Sequence, residues 1–456
     1  MTTTGDVERR LRELCADVVE RAQKRGASAC EAYAEHVTAT SASVEQNELK
    51  GASTAEHEAV GIRVFVGDSA GAKSGFAYVN RLDDDSINEA IGDAIAIANA
   101  SPGDAANALV EPRPGRVTRG LWDDNLAKLS ADVVVDSAAR LLDQARAVDA
   151  RVSVDNASFS TTSGVSAIVS STGVSAAASE AAASYGLFGM AIDGDDVGSF
   201  DHVFDAARAH DEIDVDRVAH EYSARVLSLL EPKDGKTYKG KVLFSPDAFE
   251  EVFLEALFEA IDGDTVWKGK SRLKDKLGKS IASKGFLLVD DGTIPGAVGS
   301  ASFDREGLPH RRTVIVGDGV LHAFLYDGKA ARRAGARPTG HAQGSARSLP
   351  GIGTTNVRVG GGEASDEDLF KSLKDGLYVG RFSGNVDAVS GDFSGVAKGS
   401  FLVENGKKTA PVKETLIAGN VFDALQKLVA WGAKPHRNMA TLCPLVLVDG
   451  IDVTAA

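Results

Sequence analysis

The chain has 456 residues, 43% of them hydrophobic, with a formal net charge of −15 and three cysteines. That length exceeds what one core usually holds, so two or three domains are expected. The acidic balance argues against direct nucleic-acid binding, which needs a basic surface, and Cys15, Cys30 and Cys443, with no CxxC among them, argue against a disulfide scaffold or zinc ribbon.

Residues 6–25 read as an amphipathic helix, with Val7, Leu11, Leu14, Cys15, Val18 and Ala22 at helical spacing and Gly26 as its stop. This places Cys15 in a core. EAYAEHV and SASVEQNEL follow as strands, and AVGIRVFV alternates with Val60, Ile62, Val64 and Val66 on one face. Residues 84–100 read as a second helix. The segment 101–120, with Pro102, Pro112 and Pro114, reads as a linker, and a third helix covers about 130–148. The Ser/Ala/Gly-rich stretch that follows reads as a β-meander turning at Ser163-Gly164 and Thr172-Gly173, its small side chains suited to tight packing. A further helix spans 213–230, and EPKDGKTYKG breaks the pattern at the main domain boundary.

Beyond it, Ser245 and Pro246 suit the N-cap and first position of a helix. From Phe286 onward, FLLVDDGT, RRTVIVGDGVLHAFLY, GSFLVENGKKTAPVKE and PLVLVDGIDV predict antiparallel sheet, with helices near 366–376 and 420–431. The fold class expected is α+β: an N-terminal mixed helix/antiparallel-sheet part, then a sheet-rich C-terminal domain. The domains are drawn at 1–105, 106–231 and 232–456. No apolar run reaches the roughly 20 residues that cross a bilayer. The N-terminal MTTTGDVERRLREL lacks an apolar signal core, so a cytoplasmic protein with no membrane partner is expected.

Three motifs mislead. HEAVG (57–61) begins like a zinc-peptidase helix, but Gly61 and Ile62 stand where a second histidine would be needed, and the segment alternates as a strand. His220-Glu221 lies on a helix, with Ala224 and Arg225 at the corresponding places. GIGTTN (351–356) and VGGGE (359–363) do not form a strand–GxGxxG–helix unit.

The segment FLEALFEAIDGD (253–264) raises a sharper question. Glu251, Glu255 and Glu259 form an i, i+4, i+8 row, in which like charges repel by a few tenths of a kcal/mol. A solvated acidic face accounts for the row; a partly buried row facing a cleft or partner accounts for it equally. The lysine-rich run 267–285 reads as a solvated segment that also offers cations. His341, in PTGHAQGS, stands in a glycine-flanked loop and is a candidate substrate-binding residue.

SASFDREGLPHRRTVIVGDGVLHAFLYDGKAARRAGARPTGHAQG (300–344), VSGDFSGVAKGSFLVENGKKTAPVKETLIAGN (389–420) and NMATLCPLVLVDGIDV (438–453) resemble the TldD/PmbA family in order and spacing. The N-terminal half fits more loosely. The resemblance implies a paired cytoplasmic protease system acting on small peptides. Its TldD-type subunit carries an HExxxH zinc helix and a C-terminal cysteine; its PmbA-type (TldE) subunit lacks the motif.

Setting Gly263-Asp264 against the GD that follows that motif puts Leu254 and Glu259 at the two histidine positions and Glu255 at the glutamate position. Cys443 falls in the family's cysteine region. Leucine cannot ligate, so the set falls short of the three protein ligands of catalytic zinc. The expectation is a PmbA-type member with no metal of its own, zinc entering only through a TldD-type partner. Glu255 and Glu259 are then remnants of a catalytic site. The resemblance leaves open the alternative of a homo-oligomeric peptidase with a non-standard site using Glu255, Glu259, His341 and Cys443. It also leaves open a regulatory role linked to gyrase, which would pass through a protein rather than DNA.

Overall fold

The structure, a computed structural model, describes residues 3–45, 48–68 and 70–455. Helix α1 (Thr4–Lys24) is closed by a capping box: the Thr3 hydroxyl accepts from Asp6 N–H, and the Asp6 carboxylate accepts from Thr3 N–H. Then come β1 (Ala29–Glu45), β2 (Glu48–Val66), β3 (Lys73–Val79) and α2 (Asp84–Ala100). EAYAEHV and SASVE belong to the single strand β1; Gln46 and Asn47 lie outside the described residues.

After a short α3 (Asp124–Ala127) and α4 (Ala131–Val148), strands β4 (Val152–Ser170) and β5 (Ser175–Asp193) form one hairpin rather than a meander. Thr172-Gly173 is its turn, with Gly173 at φ 97°. Gly164 lies mid-strand, where a Cβ would come within 2.8 Å of the His36 carbonyl, so that glycine marks a close strand approach and not a reversal. Strands β6 (Asp196–Val197) and β7 (Asp201–Ala207) pair with β5, and α5 (Val215–Leu227) follows.

These strands make one sheet in the order β3-β2-β1-β4-β5, with β6 and β7 on β5. Nineteen residues at about 3.3 Å each give strands long enough to hold two helix pairs side by side. Helices α1 and α2 bury Leu11, Val18 and Ile91 against Ala34, Ile62 and Ala167. Helices α4 and α5 bury Leu141, Val218 and Tyr222 against Ala42, Phe159 and Leu187. The segments 1–105 and 106–231 therefore share a single sheet.

Strand β8 (Tyr238–Phe244) opens the C-terminal part, which is sheet-rich as the α+β expectation requires. It lies in a nine-stranded sheet, antiparallel to 446–455 and parallel to 376–379. A six-stranded sheet also contains one parallel pair, 357–360 with 441–443, so this part is not wholly antiparallel. One helical run lies between the two sheets: α6 (Pro246–Phe249), a π-helical stretch Glu250–Leu254, and α7 (Glu255–Ile261). Its Phe249, Phe253, Leu254 and Leu257 meet Val242 and Val448 from one sheet and Leu288 and Ile315 from the other. Among the described residues no helix is long and apolar enough to cross a membrane.

The second face of the N-terminal sheet docks on the block around residue 305. Arg63 Nη2 donates to Glu31 Oε2 at 2.7 Å and to Glu306 Oε1 at 3.0 Å, while Arg305 Nη1 donates to Glu31 Oε1 at 2.9 Å. All four side chains are buried. Burial works against ionisation of Glu31, but the two guanidiniums overcome it and hold its carboxyl below the usual range. The stretch 101–120 is an ordered strap here, with Arg113 bonded to the Pro338 carbonyl and Thr118 to that of Ala301.

Removing one member of such a network leaves buried charge uncompensated. Glu31→Ala is expected to lower the unfolding free energy by about 3–5 kcal/mol, read by urea denaturation. A loss below about 1 kcal/mol, the worth of an exposed pair, would contradict the burial described.

Candidate functional site

The helical run 246–261 begins as the sequence suggests: the Ser245 hydroxyl accepts from Ala248 N–H, and Pro246 fills the first turn. It does not continue as one regular helix. The N–H of Glu255 bonds to the carbonyl of Glu250, five residues back. A π turn of this kind inserts an extra residue and rotates everything downstream. The acidic row read from the sequence is thereby broken, and its members meet different surroundings.

Leu254 is fully buried in the central core. Glu255 and Glu259 are exposed, and Glu259 Oε1 accepts from the Thr265 hydroxyl at 2.6 Å. Glu251 is the member in the protein: its Oε2 accepts from Phe382 N–H at 2.5 Å, and burial pushes its carboxyl up to about 7. Glu250 accepts from the Thr441 hydroxyl at 2.9 Å and from Asn438 Nδ2 at 3.2 Å. Cys443 is buried; desolvation, then the charges of Glu250 and Asp247, push its thiol well above the usual range. The acids whose charges bear on Cys443 are thus Glu250 and Asp247.

His341 is not on an open loop. It is 1% exposed, its Nε2 is 3.0 Å from Asp290 Oδ1, and its Nδ1 is 2.9 Å from the Thr339 hydroxyl. Asp290 also accepts from the Thr355 N–H and hydroxyl. The structure therefore does not bring Glu255, Glu259, His341 and Cys443 together. Among the described residues no group of three His, Cys, Asp or Glu side chains is placed to hold a metal ion. The donor set itself does not fit a zinc centre of the HExxxH kind: Leu254 is a buried leucine, Glu255 and Glu259 are exposed, and the Cys443 thiol is buried and held in its protonated form.

A cavity of about 770 Å³ opens between the two halves of the chain. Strand β7 and helix α5 form one wall; the start of α6, the helix beginning at Asp366 and the segments 399–408 and 434–438 form the other. Asp205 pairs with Arg217 and with Arg437, the latter at 2.6 Å. Arg225 bridges the halves, donating to Glu221 at 2.7 Å and to Asp247 at 3.2 Å. Asp201 and Asp205 also accept the backbone N–H groups of His202 and Ala206, which covers part of the outer edge of β7. His202 contacts Arg381, and burial together with that cation keeps its imidazole neutral to lower pH than usual. Tyr378 and Phe401 line the floor, with the Lys408 ammonium 4.5 Å and 4.0 Å from their ring centroids. These residues carry no motif. They come from positions 201–437 and meet only through the fold, so the sequence marks none of them beyond placing 213–230 on a helix.

Two measurements check this geometry. Leu254→Ala is expected to cost about 2–5 kcal/mol of stability and Glu255→Gln less than about 0.5 kcal/mol, by denaturant titration. Equal costs would contradict the rotation at the π turn. For Glu251, burial raises the folded carboxyl to about 7 from an ordinary 4.5. Its raised value means the folded state holds the proton longer, so stability relative to Glu251→Gln is full below about pH 4.5 and falls as pH rises to 7, by on the order of 3 kcal/mol. Melting curves of both proteins across that range should diverge in this direction; parallel curves would refute the shift.

Comparison with known proteins agrees with this architecture. Residues 237–455 match the PmbA/TldA metallopeptidase C-terminal domain, and residues 30–98 match PmbA/TldA metallopeptidase domain 1. The Metalloprotease PmbA homolog of Haemophilus influenzae is 29% identical, over 93% of this chain and 91% of that protein. A Metalloprotease TldD homolog of Buchnera aphidicola is 34% identical, but over only 38% of this chain and 36% of that protein. The crystal structure of TldE from Thermococcus kodakarensis superposes with a TM-score of 0.86 over 97% of this chain and all of that one; at 24% identity it speaks for the fold alone. With two domain matches and a near full-length relative, the chain belongs to the PmbA/TldE family of metalloprotease-related proteins.

Proposed function

We propose that this chain is the companion subunit of a TldD/PmbA-type peptidase system, binding a zinc-bearing TldD-type chain and helping it handle small peptides in the cytoplasm. The observation that carries the proposal is the helical run 246–261. Leu254 is locked in the core, and Glu255 and Glu259 are exposed whereas Cys443 is buried. A chain with this donor set cannot assemble the three-ligand zinc centre that activates water in such peptidases. Zinc therefore belongs to the partner. What this chain retains is the fold, with a charged cleft of about 770 Å³ between its halves.

The test is to purify the untagged chain alone and together with a TldD-type chain from the same organism. Three quantities are measured: zinc per chain, co-elution, and release of fragments from a short peptide. The expected result is far less than stoichiometric zinc in the chain alone, a stable mixed complex, and cleavage by the complex that Glu255→Gln leaves unchanged. Failure to associate would end the companion proposal. Stoichiometric zinc and cleavage by the chain alone, lost in Glu255→Gln, would establish a self-contained peptidase instead.

A further inference from the structure

The cleft contains a cation held by aromatic rings and not by an ion pair. Arg217, Arg225 and Arg437 are all committed to Asp205, Glu221 and Asp247. Lys408 has no ion pair and its ammonium no hydrogen bond among the described residues. It is held instead over the Phe401 and Tyr378 rings, at 4.0 Å and 4.5 Å. The side chain is exposed to solvent on one side; desolvation by the wall it lies on, reinforced by Arg225 and opposed by Asp201, lowers its pKa. An ammonium fixed by two rings and short of a counter-ion is pre-organised for an anion, because little rotamer freedom remains to be lost on binding.

A second donor lies beside it. The Tyr378 hydroxyl makes no hydrogen bond among the described residues, and burial raises its pKa to about 12, so it remains a donor. The rest of the lining limits what kind of anion fits. Asp201, Asp205, Glu221, Asp247 and Asp366 all border the cavity, and they repel any ligand with several negative charges. The volume falls within the roughly 300–1,000 Å³ of small-ligand pockets.

We propose that this cleft binds the C-terminal carboxylate of a short, non-acidic peptide, with Lys408 as its anchoring cation and the Tyr378 hydroxyl as its second donor. The inference rests on the peptide-handling role proposed above and assigns a substrate-binding site to this chain rather than to its zinc-bearing partner.

The experiment is calorimetric titration of the full chain with the tripeptide Ala-Ala-Phe and with its C-terminal amide, at pH 7 and low salt. The free acid is expected to bind at least about tenfold more tightly than the amide, a difference of about 1.4 kcal/mol. Lys408→Met should abolish that preference, Tyr378→Phe should reduce it, and Lys434→Met, on the same cavity wall but without a ring contact, should retain it. Acetate at equal concentration should not compete. Equal binding of acid and amide, no binding of the acid, a preference that survives Lys408→Met, or full competition by acetate would each overturn the proposal. Lys408→Met should still co-elute with the TldD-type chain. Association without peptide binding would therefore sink this inference alone, and carboxylate-selective binding without association would sink only the companion role.

Discussion

The relation between the two halves of the chain depends on a buried charge network. Glu31 and Arg63 come from adjacent strands of the N-terminal sheet, Arg305 and Glu306 from a loop in the C-terminal part, and the set carries two positive and two negative groups. Further contacts hold it: Glu306 accepts from Gly328 N–H at 2.6 Å, and the Arg305 guanidinium lies 4.1 Å from the Tyr33 ring centroid, while Arg63 Nε is buried without a partner among the described residues. Burying four charges gains little net stability over an apolar contact. What it provides is geometry, since its three charge-assisted hydrogen bonds form together only when the sheet sits on the loop in this way. Asp304 next to it, pushed up to about 8 by burial and by Glu306, adds no further charge at neutral pH and accepts the backbone N–H groups of Glu306, Leu308 and Ala342.

That docking sets the shape of the cleft. Strand β7 and helix α5 belong to the N-terminal sheet layer, whereas α6 and Lys408 belong to the C-terminal part. The Arg225–Asp247 and Arg437–Asp205 pairs span the gap, but such partly exposed pairs contribute about 0–1 kcal/mol each. They tune a wall that the buried network has already positioned. The cleft is therefore built by long-range packing, and its chemistry comes from residues more than two hundred positions apart.

This explains what the sequence could reveal. Helices α1, α2, α4 and α5 were legible because their apolar stripes and caps are local properties, and the Ser245-Pro246 start was legible for the same reason. The β4–β5 hairpin was misread because Ser163-Gly164 satisfies turn chemistry, although Gly164 serves a close strand approach; only the partner strand shows the difference. The family resemblance located the helical run 246–261 but assumed regular geometry. A π turn leaves no mark in the sequence, and it separates Glu251 from Glu255 and Glu259. His341 looked like a loop residue because glycines flank it, yet its imidazole completes a buried hydrogen-bond network with Asp290 and Thr339.

The acidic row and the cleft then fall into different physical classes. Glu255 and Glu259 face solvent, where a carboxylate costs nothing to keep and does little. Glu250, Glu251, Asp201 and Asp205 are partly or fully withdrawn from water, where each charge must be matched by a guanidinium, a hydroxyl or a backbone N–H. Groups held at that cost persist where the fold or its ligand requires them. The lysine over Tyr378 and Phe401 is the one cation in the cleft held by rings rather than by an acid. Leu254 is buried and Glu255 and Glu259 are exposed, so the organised charge of this region lies instead about the cleft, where Asp201, Asp205 and Asp247 meet Arg217, Arg225 and Arg437.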